Sequence, residues 1–457
     1  VRAPRGLKLT VARKEGPGVA SHAGEAAFTV PRAARIEIDG DLADWSSARW
    51  IEMLGEPYVF GDNYKLEIDL KVPEVIDQAL GMAYLGFTWD QISPQYREKY
   101  RLEGYQDNQV VVTSVTPDSA AAAAGLREGD VILYMNDKWT RWAFEVWGIV
   151  DNHKKRPGDT IHLKLQRGGL DRYSGPGDLS ARVALAVDDA NLYVAADVAD
   201  DVHQQNMPGP ELWQNDSFQI GIDPVLARTD GYGEHGHEIG FALQDGKPIA
   251  YRWAGRRGQP RGIPRPFGVR GEAVRTAIRR IDGRTIYEAA IPLAQLAPLS
   301  PDMWPHAGLC FVVNDSDDGR ARKARLELVT GAMTAGKRLD RFPEFSFAPS
   351  DDRDKLSSAI IWERRCAMPD GAFELTLAVC SPETRRARVR AKLESLDDPQ
   401  TTPVEAAALI PVTSDAAEFV LKARTQSPPG RYRLTVEVLG PGGAVAASDA
   451  LPVYVYK

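Results

Sequence analysis

Apolar and polar residues alternate over short stretches along most of the chain. In residues 373–379 and again in residues 432–438, every second side chain is apolar. This period of two is typical of β-strands that bury one face, whereas the three- to four-residue period of an amphipathic helix is rare in this chain. Turn-forming residues separate the stretches, with 40 Gly and 31 Pro in total. The pattern predicts a mainly β protein.

Six strand-like stretches follow one another in the middle of the chain. They cover residues 182–187, 192–198, 218–222, 238–243, 285–291 and 309–313. Short strands in series, separated by turns, predict a β-sandwich. An earlier strand at 35–39, with the anchors Leu42 and Trp45 after it, is expected to pair with this sandwich.

Residues 66–169 have a different pattern. Strands at 110–115, 131–135 and 160–166 alternate with a small-residue helix at 117–124 and with a helix in which Phe144, Trp147 and Val150 share one face. We therefore predict a compact α/β domain. A domain whose ends lie close together is readily inserted into a surface loop of another.

The chain divides into four predicted parts. Residues 1–34 are N-terminal strands or the remnant of an upstream domain, residues 35–65 and 170–349 form a discontinuous sandwich, residues 66–169 form the inserted domain, and residues 350–457 form a second sandwich. The length of 457 residues, at about 150 residues per domain, agrees with three domains.

Charge and hydropathy exclude two classes of partner. The 56 Lys and Arg residues against 63 Asp and Glu residues give a net charge of −7, and no basic stripe is present, so nucleic acid is not an expected partner. No window of about 20 apolar residues exists, so no membrane span is predicted. The chain starts at Val1 without signal-peptide features, and we expect a processed chain or a fragment of a longer one.

Three cysteines match neither a zinc site nor a disulfide-rich scaffold. Cys310 lies in an apolar stretch, where a buried thiol is expected. Cys366 and Cys380 flank a hairpin signal at 369–371, and the sequence leaves open whether they form a disulfide across two strands or remain thiols.

The chain lacks common catalytic motifs. It has no G-x-S-x-G elbow, no P-loop, no H-E-x-x-H, and no G-x-G-x-x-G that opens a helix after a strand. Adjacent carboxylates such as Asp188 and Asp189 point to opposite faces of a strand, so they cannot share a glycosidase site. We expect a protein that is not an enzyme.

The inserted domain resembles PDZ domains in two motifs. Residues 84–87, Tyr-Leu-Gly-Phe, are similar to the carboxylate-binding loop, and residues 124–132 are similar to the central signature of that family. The resemblance implies that a protein C-terminal peptide adds to a strand edge while loop amides hold its carboxylate. The peptide-binding residues would be Tyr84, Leu85, Gly86, Phe87, Phe144 and Gly148.

The discontinuous sandwich resembles family-nine carbohydrate-binding modules. The segments that carry this resemblance are residues 36–45, 188–194, 198–203, 213–218 and 287–292. After it, the Pro-Pro-Gly-Arg-Tyr stretch at 428–432 is similar to the start of a late strand in immunoglobulin-like domains. The expected fold class is therefore mainly β, a β-sandwich with an inserted α/β PDZ-like domain and a C-terminal immunoglobulin-like β-sandwich.

The family resemblance also implies a ligand site. Trp213 occupies the position of an aromatic platform that stacks on a sugar ring, and Asp216 and Gln219 occupy positions for polar contacts. Binding members of the family carry a second Trp in the loop that corresponds to residues 331–337, which has none in this chain. One reading is weak polysaccharide binding through Trp213, and the other is a scaffold in which Trp213 covers the edge of the core.

Calcium is the cofactor that this resemblance suggests. Hard carboxylate oxygens are the ligands that Ca²⁺ prefers, six to eight per ion. The candidate ligands are Asp200, Asp201, Asp216, Asp315 and Asp317. Asp at strand ends is also an ordinary turn former, and no stretch has EF-hand spacing.

These features predict a non-catalytic, multidomain binding protein that is exported to an extracellular, cell-surface or periplasmic location. The sandwich would bind polysaccharide, and the PDZ-like domain would bind a protein C-terminus. Two alternatives remain. The chain could be the accessory C-terminal region of a larger secreted hydrolase, or a scaffold whose binding is limited to the PDZ-like domain.

Overall fold

The computed structural model describes most of the chain. The described residues are 6–13, 26–33, 36–55, 57–62, 64–73, 85–100, 102, 108–151, 155–168, 173–255, 262, 273–350, 356–362, 367–369, 371–381, 386–413 and 417–456. They divide into two compact units, one of residues 60–174 with 323–325, and one of the remainder.

The elements follow in chain order. The strands up to the third helix are β1 (Leu7–Arg13), β2 (Phe28–Val30), β3 (Ile51–Met53), β4 (Val59–Gly61), β5 (Tyr64–Lys71), β6 (Phe87–Gln91), β7 (Val110–Val115), β8 (Val131–Met135) and β9 (Lys138–Trp139). The helices are α1 (Pro94–Tyr100), α2 (Ala120–Ala123) and α3 (Ala143–Val150). The strands that follow are β10 (Thr160–Arg167), β11 (Leu179–Val187), β12 (Asn191–Asp200), β13 (Ser217–Asp223), β14 (His237–Gln244), β15 (Lys247–Ala254), β16 (Arg275–Ile281), β17 (Arg284–Pro292), β18 (His306–Asp315), β19 (Ala324–Glu327), β20 (Glu344–Phe347), β21 (Ser357–Trp362), β22 (Ala367–Pro369), β23 (Ala372–Cys380), β24 (Arg386–Ser395), β25 (Val404–Pro411), β26 (Ala417–Thr425), β27 (Gly430–Leu439) and β28 (Val445–Tyr456).

Two facing sheets form what we call the middle sandwich. One sheet has the order β16-β17-β12-β11-β3, and the other contains β15-β14-β13-β18, with β20 paired to β18 and β2 paired to β20. The core lies between the sheets, where the ring of Phe218 on β13 lies 6.0 Å from that of Tyr287 on β17. Alternation places these side chains inward on their strands. The predicted sandwich and its fold class are confirmed.

The early segment joins the middle sandwich in a different way from the one predicted. Among the described residues, 36–40 form no strand, and the pairing to β11 is made by β3. The reason is the Glu288 carboxylate, which accepts hydrogen bonds from the backbone of Gly40 at 2.6 Å and from the indole of Trp45 at 2.7 Å. Trp45 is fully buried, so the segment is anchored by a side chain and not by a ladder.

The inserted unit contains a six-stranded sheet, in which five strands follow the order β5-β10-β8-β7-β6 and β9 pairs with β8. Its core includes Leu70, Phe87, Ile132, Val146 and Leu163. The predicted strands correspond to β7, β8 and β10. β6 lies at one end of the sheet and is paired to β7 along one side.

The C-terminal sandwich consists of one sheet in the order β1-β26-β23-β21 and a second in the order β22-β28-β27-β24-β25. β1, from the part predicted as N-terminal strands or an upstream remnant, pairs with β26 over its whole length, from Leu7 opposite Thr425 to Arg13 opposite Phe419. The alternating side chains of β1 pack on the sandwich core. The Tyr432 hydroxyl donates to the Pro428 carbonyl at 2.9 Å, a hydrogen bond of the kind made by tyrosine corners in immunoglobulin-type sandwiches.

The cysteines differ in their surroundings. Cys310 is buried, as predicted, and burial raises the pKa of its thiol. Cys380 is also a free thiol, and its sulfur lies 3.5 Å from that of Met303. Cys366 lies outside the described residues. Across the ranges given above, no helix is long and apolar enough to cross a bilayer.

Candidate functional site

A cleft of about 700 Å³ opens on the middle sandwich. Aromatic, polar and charged side chains share its wall. The lining residues are Pro210, Trp213, Gln219, Tyr232, Gly233, Glu238, Trp253, Ala254, Gly255, Arg322, Thr334 and Lys337. Trp213 and Gln219 were singled out from the sequence, and both lie here.

Two tryptophans form the aromatic part of the cleft. Trp213 belongs to a 3-10 helix, Gly209–Gln214, and is 39% exposed. Trp253 on β15 is half-buried, and its indole nitrogen donates to the Pro210 carbonyl at 2.8 Å. Its ring also lies 5.3 Å from that of Tyr251 in an edge contact. These contacts fix the Trp253 ring beside the cleft.

Sequence reasoning missed Trp253. The signal was present, because Tyr251 and Trp253 are two residues apart on a strand and therefore lie on the same face. The family resemblance implies a second Trp in the loop at 331–337, which has none. In this chain the second aromatic side chain of the cleft comes from β15.

The 331–337 loop contributes polar groups to the cleft. The buried Glu327 carboxylate holds this loop and accepts hydrogen bonds from the backbone of Gly331 at 2.9 Å, of Met333 at 2.6 Å and of Thr334 at 3.1 Å. It also accepts from the Thr334 hydroxyl at 2.7 Å. Four donors on one carboxylate fix the loop firmly. Thr334 and Lys337 consequently face the cleft from a rigid support.

An ion pair lies in the cleft wall. The Lys337 ammonium group is 2.6 Å from the carboxylate of Glu238, which is only 2% exposed. Burial raises the pKa of Glu238, and the charge of Lys337 opposes that rise. Lys337 has φ +58, a left-handed conformation that is uncommon for residues other than glycine. Such strain often accompanies functional sites.

Arg322 adds a second cation beside an aromatic ring. Its guanidinium carbon lies 5.1 Å from the centre of the Trp213 ring, within cation–π range. One of its nitrogens donates to the Asn314 side chain at 2.8 Å. The guanidinium group therefore lies over the Trp213 ring.

Asp216 lies beside the cleft wall and does not line it. It is 3% exposed, and its carboxylate accepts from the backbone of Gln204 at 2.5 Å and of Ser316 at 2.7 Å. The His203 imidazole lies 3.2 Å from it. Asp216 thus ties the segment between β12 and β13 to the segment that follows β18.

Asp200 joins the same buried network. Burial, together with the charge of Asp216, raises the pKa of Asp200 to about 7. Arg280 donates to the Asp200 carboxylate at 2.8 Å. Burial lowers the pKa of His203, but the neighbouring Asp216 carboxylate outweighs this effect and raises it. Two carboxylates therefore face two basic side chains.

The five predicted calcium ligands fall into different places. Asp200 and Asp216 cluster with His203, and Asp315 and Asp317 cluster with Asp178. Asp201 is exposed and belongs to neither cluster within the described part of the chain. The first cluster fits calcium poorly, because His203 and Arg280 already balance its charge. The second offers three oxygen donors within 4.8 Å of one another, part of the six to eight that Ca²⁺ takes.

The predicted peptide-binding loop can be located in part. Tyr84 lies outside the described residues. The side chains of Leu85 and Phe87 are buried in the core of the inserted unit. Gly86 has φ +80, and a Cβ atom there would lie 2.1 Å from the Cβ of Ser119. This loop position therefore requires glycine.

Helix α3 packs beside the edge strand β6. The Gln91 side chain accepts from the Ala143 backbone at 3.1 Å, and the Trp89 indole donates to the Ala143 carbonyl at 2.9 Å. These bonds fix the start of the helix. Of the three residues predicted to share one face of this helix, Phe144 and Trp147 are exposed and Val150 is buried.

The buried side of α3 is instead formed by Val146 and Val150, one helical turn apart. Phe144 is 69% exposed, and Gly148 is also exposed. Both are accessible on the surface of the unit.

Comparison with known proteins finds two family models. Residues 163–333 match the family described as carbohydrate family 9 binding domain-like, a segment that includes Trp213, Trp253 and Arg322. Residues 84–173 match the PDZ domain. Among curated proteins, 72 residues are 33% identical to the zinc metalloprotease RasP of Geobacillus kaustophilus, and the match covers 16% of this chain and 16% of that protein. The chain therefore spans about a sixth of the length of that relative.

Solved structures include two similar chains. A family 9 carbohydrate-binding module from Caldicellulosiruptor kristjanssonii in complex with cellotriose is 22% identical, with a TM-score of 0.31, over 40% of this chain and 82% of that one. Its complex with glucose gives 22% identity and a TM-score of 0.30 over 39% and 82%. The chain contains a carbohydrate family 9 binding domain-like segment and a PDZ domain.

Proposed function

We propose that the protein is a non-catalytic binding protein whose middle sandwich binds a glycan in the cleft between Trp213 and Trp253. The observation that carries this proposal is the presence of two tryptophans on the wall of one cleft of about 700 Å³. The match of this segment to a carbohydrate-binding family supports it.

The chemistry of the cleft suits a sugar. A sugar ring has apolar C–H faces that stack on aromatic rings, and hydroxyls at its edge that require hydrogen-bonding partners. Gln219 and Thr334 supply uncharged polar groups beside the two indoles. By analogy with bases, each stacked ring contributes roughly 1–3 kcal/mol. Two rings in one cleft support stronger binding than Trp213 alone.

The test is a binding measurement on the full chain. Isothermal titration with cello- and xylo-oligosaccharides should detect binding to the unmodified chain. The affinity should fall about tenfold or more in Trp213→Ala and in Trp253→Ala. A matched control is Trp147→Ala, because Trp147 is an exposed tryptophan of the inserted unit and does not line the cleft. Glycan binding that survives both cleft substitutions contradicts the proposal.

The inserted unit has a second proposed role, in binding a protein C-terminus. The edge strand β6 next to α3 offers a place for an added strand, and Gly86 precedes it in the loop. C-terminal peptides with a free carboxylate should bind the full chain, and amidated forms of the same peptides should not. Equal binding of both forms refutes this role.

The proposal includes export, because the glycans of this class lie outside the cytoplasm.

Two alternatives are distinguished by the same experiments. A chain that binds peptides and no glycan is a scaffold whose binding resides in the PDZ domain. A chain that forms the accessory region of a larger hydrolase binds the glycan on which the hydrolase acts. Sequencing of the complete reading frame would reveal such a hydrolase domain.

A further inference from the structure

We infer that Asp200, His203 and Asp216 form a binding site for a transition-metal ion such as Zn²⁺. The site is separate from the proposed glycan site, since none of the three residues lines the cleft. It adds an imidazole to two of the predicted calcium ligands, and it takes a different class of metal.

The spacing of the ligand atoms is the first observation. One nitrogen of His203 and one carboxylate oxygen of each Asp lie within 4.8 Å of one another. Nδ1 of His203 is 3.2 Å from the carboxylate of Asp216 and 3.9 Å from that of Asp200. Nitrogen and carboxylate oxygen bind zinc at about 2.0–2.2 Å, so two such ligands of a tetrahedral ion lie about 3.3 Å apart. The three atoms are therefore placed almost as they are around one ion.

The orientation of the His203 ring is the second observation. Nε2 lies 3.1 Å from the carbonyl oxygen of Leu243, and it must carry a proton to bond there. Nδ1 is consequently the nitrogen that faces the two carboxylates. Histidines that bind metals almost always donate their other ring N–H to a carbonyl, a carboxylate or a water molecule, which fixes the tautomer and the ring. The supporting contact of a metal ligand is thus present.

The two carboxylates are also held in place. The backbone N–H groups of Gln204 and Ser316 donate to the carboxylate of Asp216, at 2.5 Å and 2.7 Å. Arg280 donates to the carboxylate of Asp200 at 2.8 Å. Ligating carboxylates are typically supported by such hydrogen bonds, and their loss weakens metal binding. An ion therefore finds both carboxylates already oriented.

The charge of the cluster distinguishes zinc from calcium. Calcium takes oxygen ligands and leaves the imidazolium of His203 beside it, whereas zinc binds the neutral imidazole and releases its proton to solvent. The two negative carboxylates and the one positive Arg280 then leave one negative charge around the ion. A transition metal therefore fits a cluster that fits calcium poorly.

The position of the cluster suggests what the ion does. Asp200 ends β12, His203 follows three residues later, and Asp216 comes directly before β13. The segment between His203 and Asp216 contains the 3-10 helix that carries Trp213. One ion therefore closes the base of this segment. The side chain of His203 is 18% exposed, so solvent and ions reach the site from that side.

Zinc alone is the probe, added to the full chain after a chelator has removed bound metal. Isothermal titration should find one site per chain. Zinc at 100 times the dissociation constant should raise the melting temperature by at least about 5 °C. Cobalt in place of zinc should give the strong visible absorption of tetrahedral coordination. A chain that binds neither metal overturns the inference.

Variants assign the ion to the cluster. His203→Gln should weaken zinc binding by at least about tenfold, the loss that removal of a supporting group alone causes. Asp200→Asn, which keeps the shape of the side chain, should do the same. The matched control is His162→Gln. His162 also lies beside two carboxylates, 2.8 Å from Asp69 and 3.3 Å from Glu67, but on the surface of the inserted unit, and its replacement should leave zinc binding unchanged.

The outcomes separate an assigned site from binding elsewhere on the chain. Zinc binding that survives both substitutions in the cluster, or that His162→Gln reduces equally, overturns the inference. Calcium at the same concentration should not displace zinc, and displacement would show a general cation site in place of the one inferred. Melting temperatures in chelator confirm that the variants are folded.

Discussion

The indole ring of Trp253 lies over the backbone of Gly240, so closely that a Cβ atom on Gly240 would come within 2.4 Å of the ring. Gly240 is on β14 and Trp253 is on β15, so the absence of a side chain on one strand determines where the aromatic surface of the next strand lies. The cleft therefore depends on a residue that does not line it.

Replacement of Gly240 by alanine should consequently weaken glycan binding about as much as Trp253→Ala does. The new methyl group displaces the ring from its place beside the cleft. Titration with the best-bound oligosaccharide measures the effect. The control is Gly177→Ala, since a Cβ atom at Gly177 meets no atom within 4 Å. Full affinity in Gly240→Ala would show that the ring position does not matter.

Replacement of Glu327 by glutamine should destabilise the sandwich and the cleft loop together. The amide nitrogen of glutamine would face backbone donors, so about half of the four hydrogen bonds are lost. We expect a loss of about 3 kcal/mol in the free energy of unfolding, on the scale of hydrogen bonds to charged groups. Urea denaturation measures it.

The same substitution elsewhere controls for this effect. Glu374 pairs with Lys422 at 3.2 Å on the surface of the C-terminal sandwich, so Glu374→Gln should cost less than about 1 kcal/mol. A similar loss in both variants would mean that the carboxylate of Glu327 has no special role.

Stability should fall as pH rises through the pKa of Asp200. The folded state holds a proton on this carboxyl up to about pH 7, whereas an unfolded Asp releases it near the usual value of 3.8. The stabilisation is therefore complete below about pH 4 and is lost between there and about pH 7. The partners of Asp200 are Asp216, His203 and Arg280.

Melting temperatures at pH 5 and pH 8 test this dependence. The side chain in Asp200→Asn cannot titrate. The melting temperature of this variant minus that of the unmodified chain should therefore be at least about 3 °C higher at pH 8 than at pH 5. About 1 kcal/mol produces a shift of this size in a domain of this size. Asp201→Asn, at the exposed neighbouring position, should show no such change. If the difference in melting temperature between Asp200→Asn and the unmodified chain is the same at both pH values, the pKa of Asp200 is not raised.

Calcium binding remains a prediction, and the cluster of Asp178, Asp315 and Asp317 is where it can be tested. At 100 times the dissociation constant, a bound ion adds about 2.7 kcal/mol to the free energy of unfolding. The melting temperature should therefore be higher with calcium than with a chelator. Asp317→Asn should abolish the rise, and Asp201→Asn should preserve it. If calcium does not raise the melting temperature of the unmodified chain, the prediction of calcium binding is wrong.

The overall fold could be read from the sequence because alternation reports directly which side of a strand is buried. β24, β26 and β27 of the C-terminal sandwich and β10 of the inserted unit follow that pattern closely, whereas β13 of the middle sandwich is buried at every position. The segment before Trp45 could not be read this way, since the amide of Gly40 bonds to the distant Glu288 carboxylate and not to a neighbouring strand. The pattern of apolar and polar residues does not identify a hydrogen-bond partner that lies 248 residues away in the sequence.

The cleft could be predicted in part. Trp213 and Gln219 were identified through a local motif, whereas Trp253 reaches the cleft through strand pairing and Arg322 through the Trp213 ring. The carboxylate of Asp216 was expected at the ligand, but its backbone partners draw it into the protein. Long-range geometry decided each of these cases.

The pairing of β1 with β26 has a consequence for how the chain is made. Leu7 lies opposite Thr425, so the two partners are separated by 418 positions, the difference between their numbers. At about 5–20 residues per second on the ribosome, β1 emerges roughly 20–80 s before β26 exists. During that interval its apolar side chains have no native surface to cover them. β1 therefore cannot complete its native pairing until β26 has been synthesised.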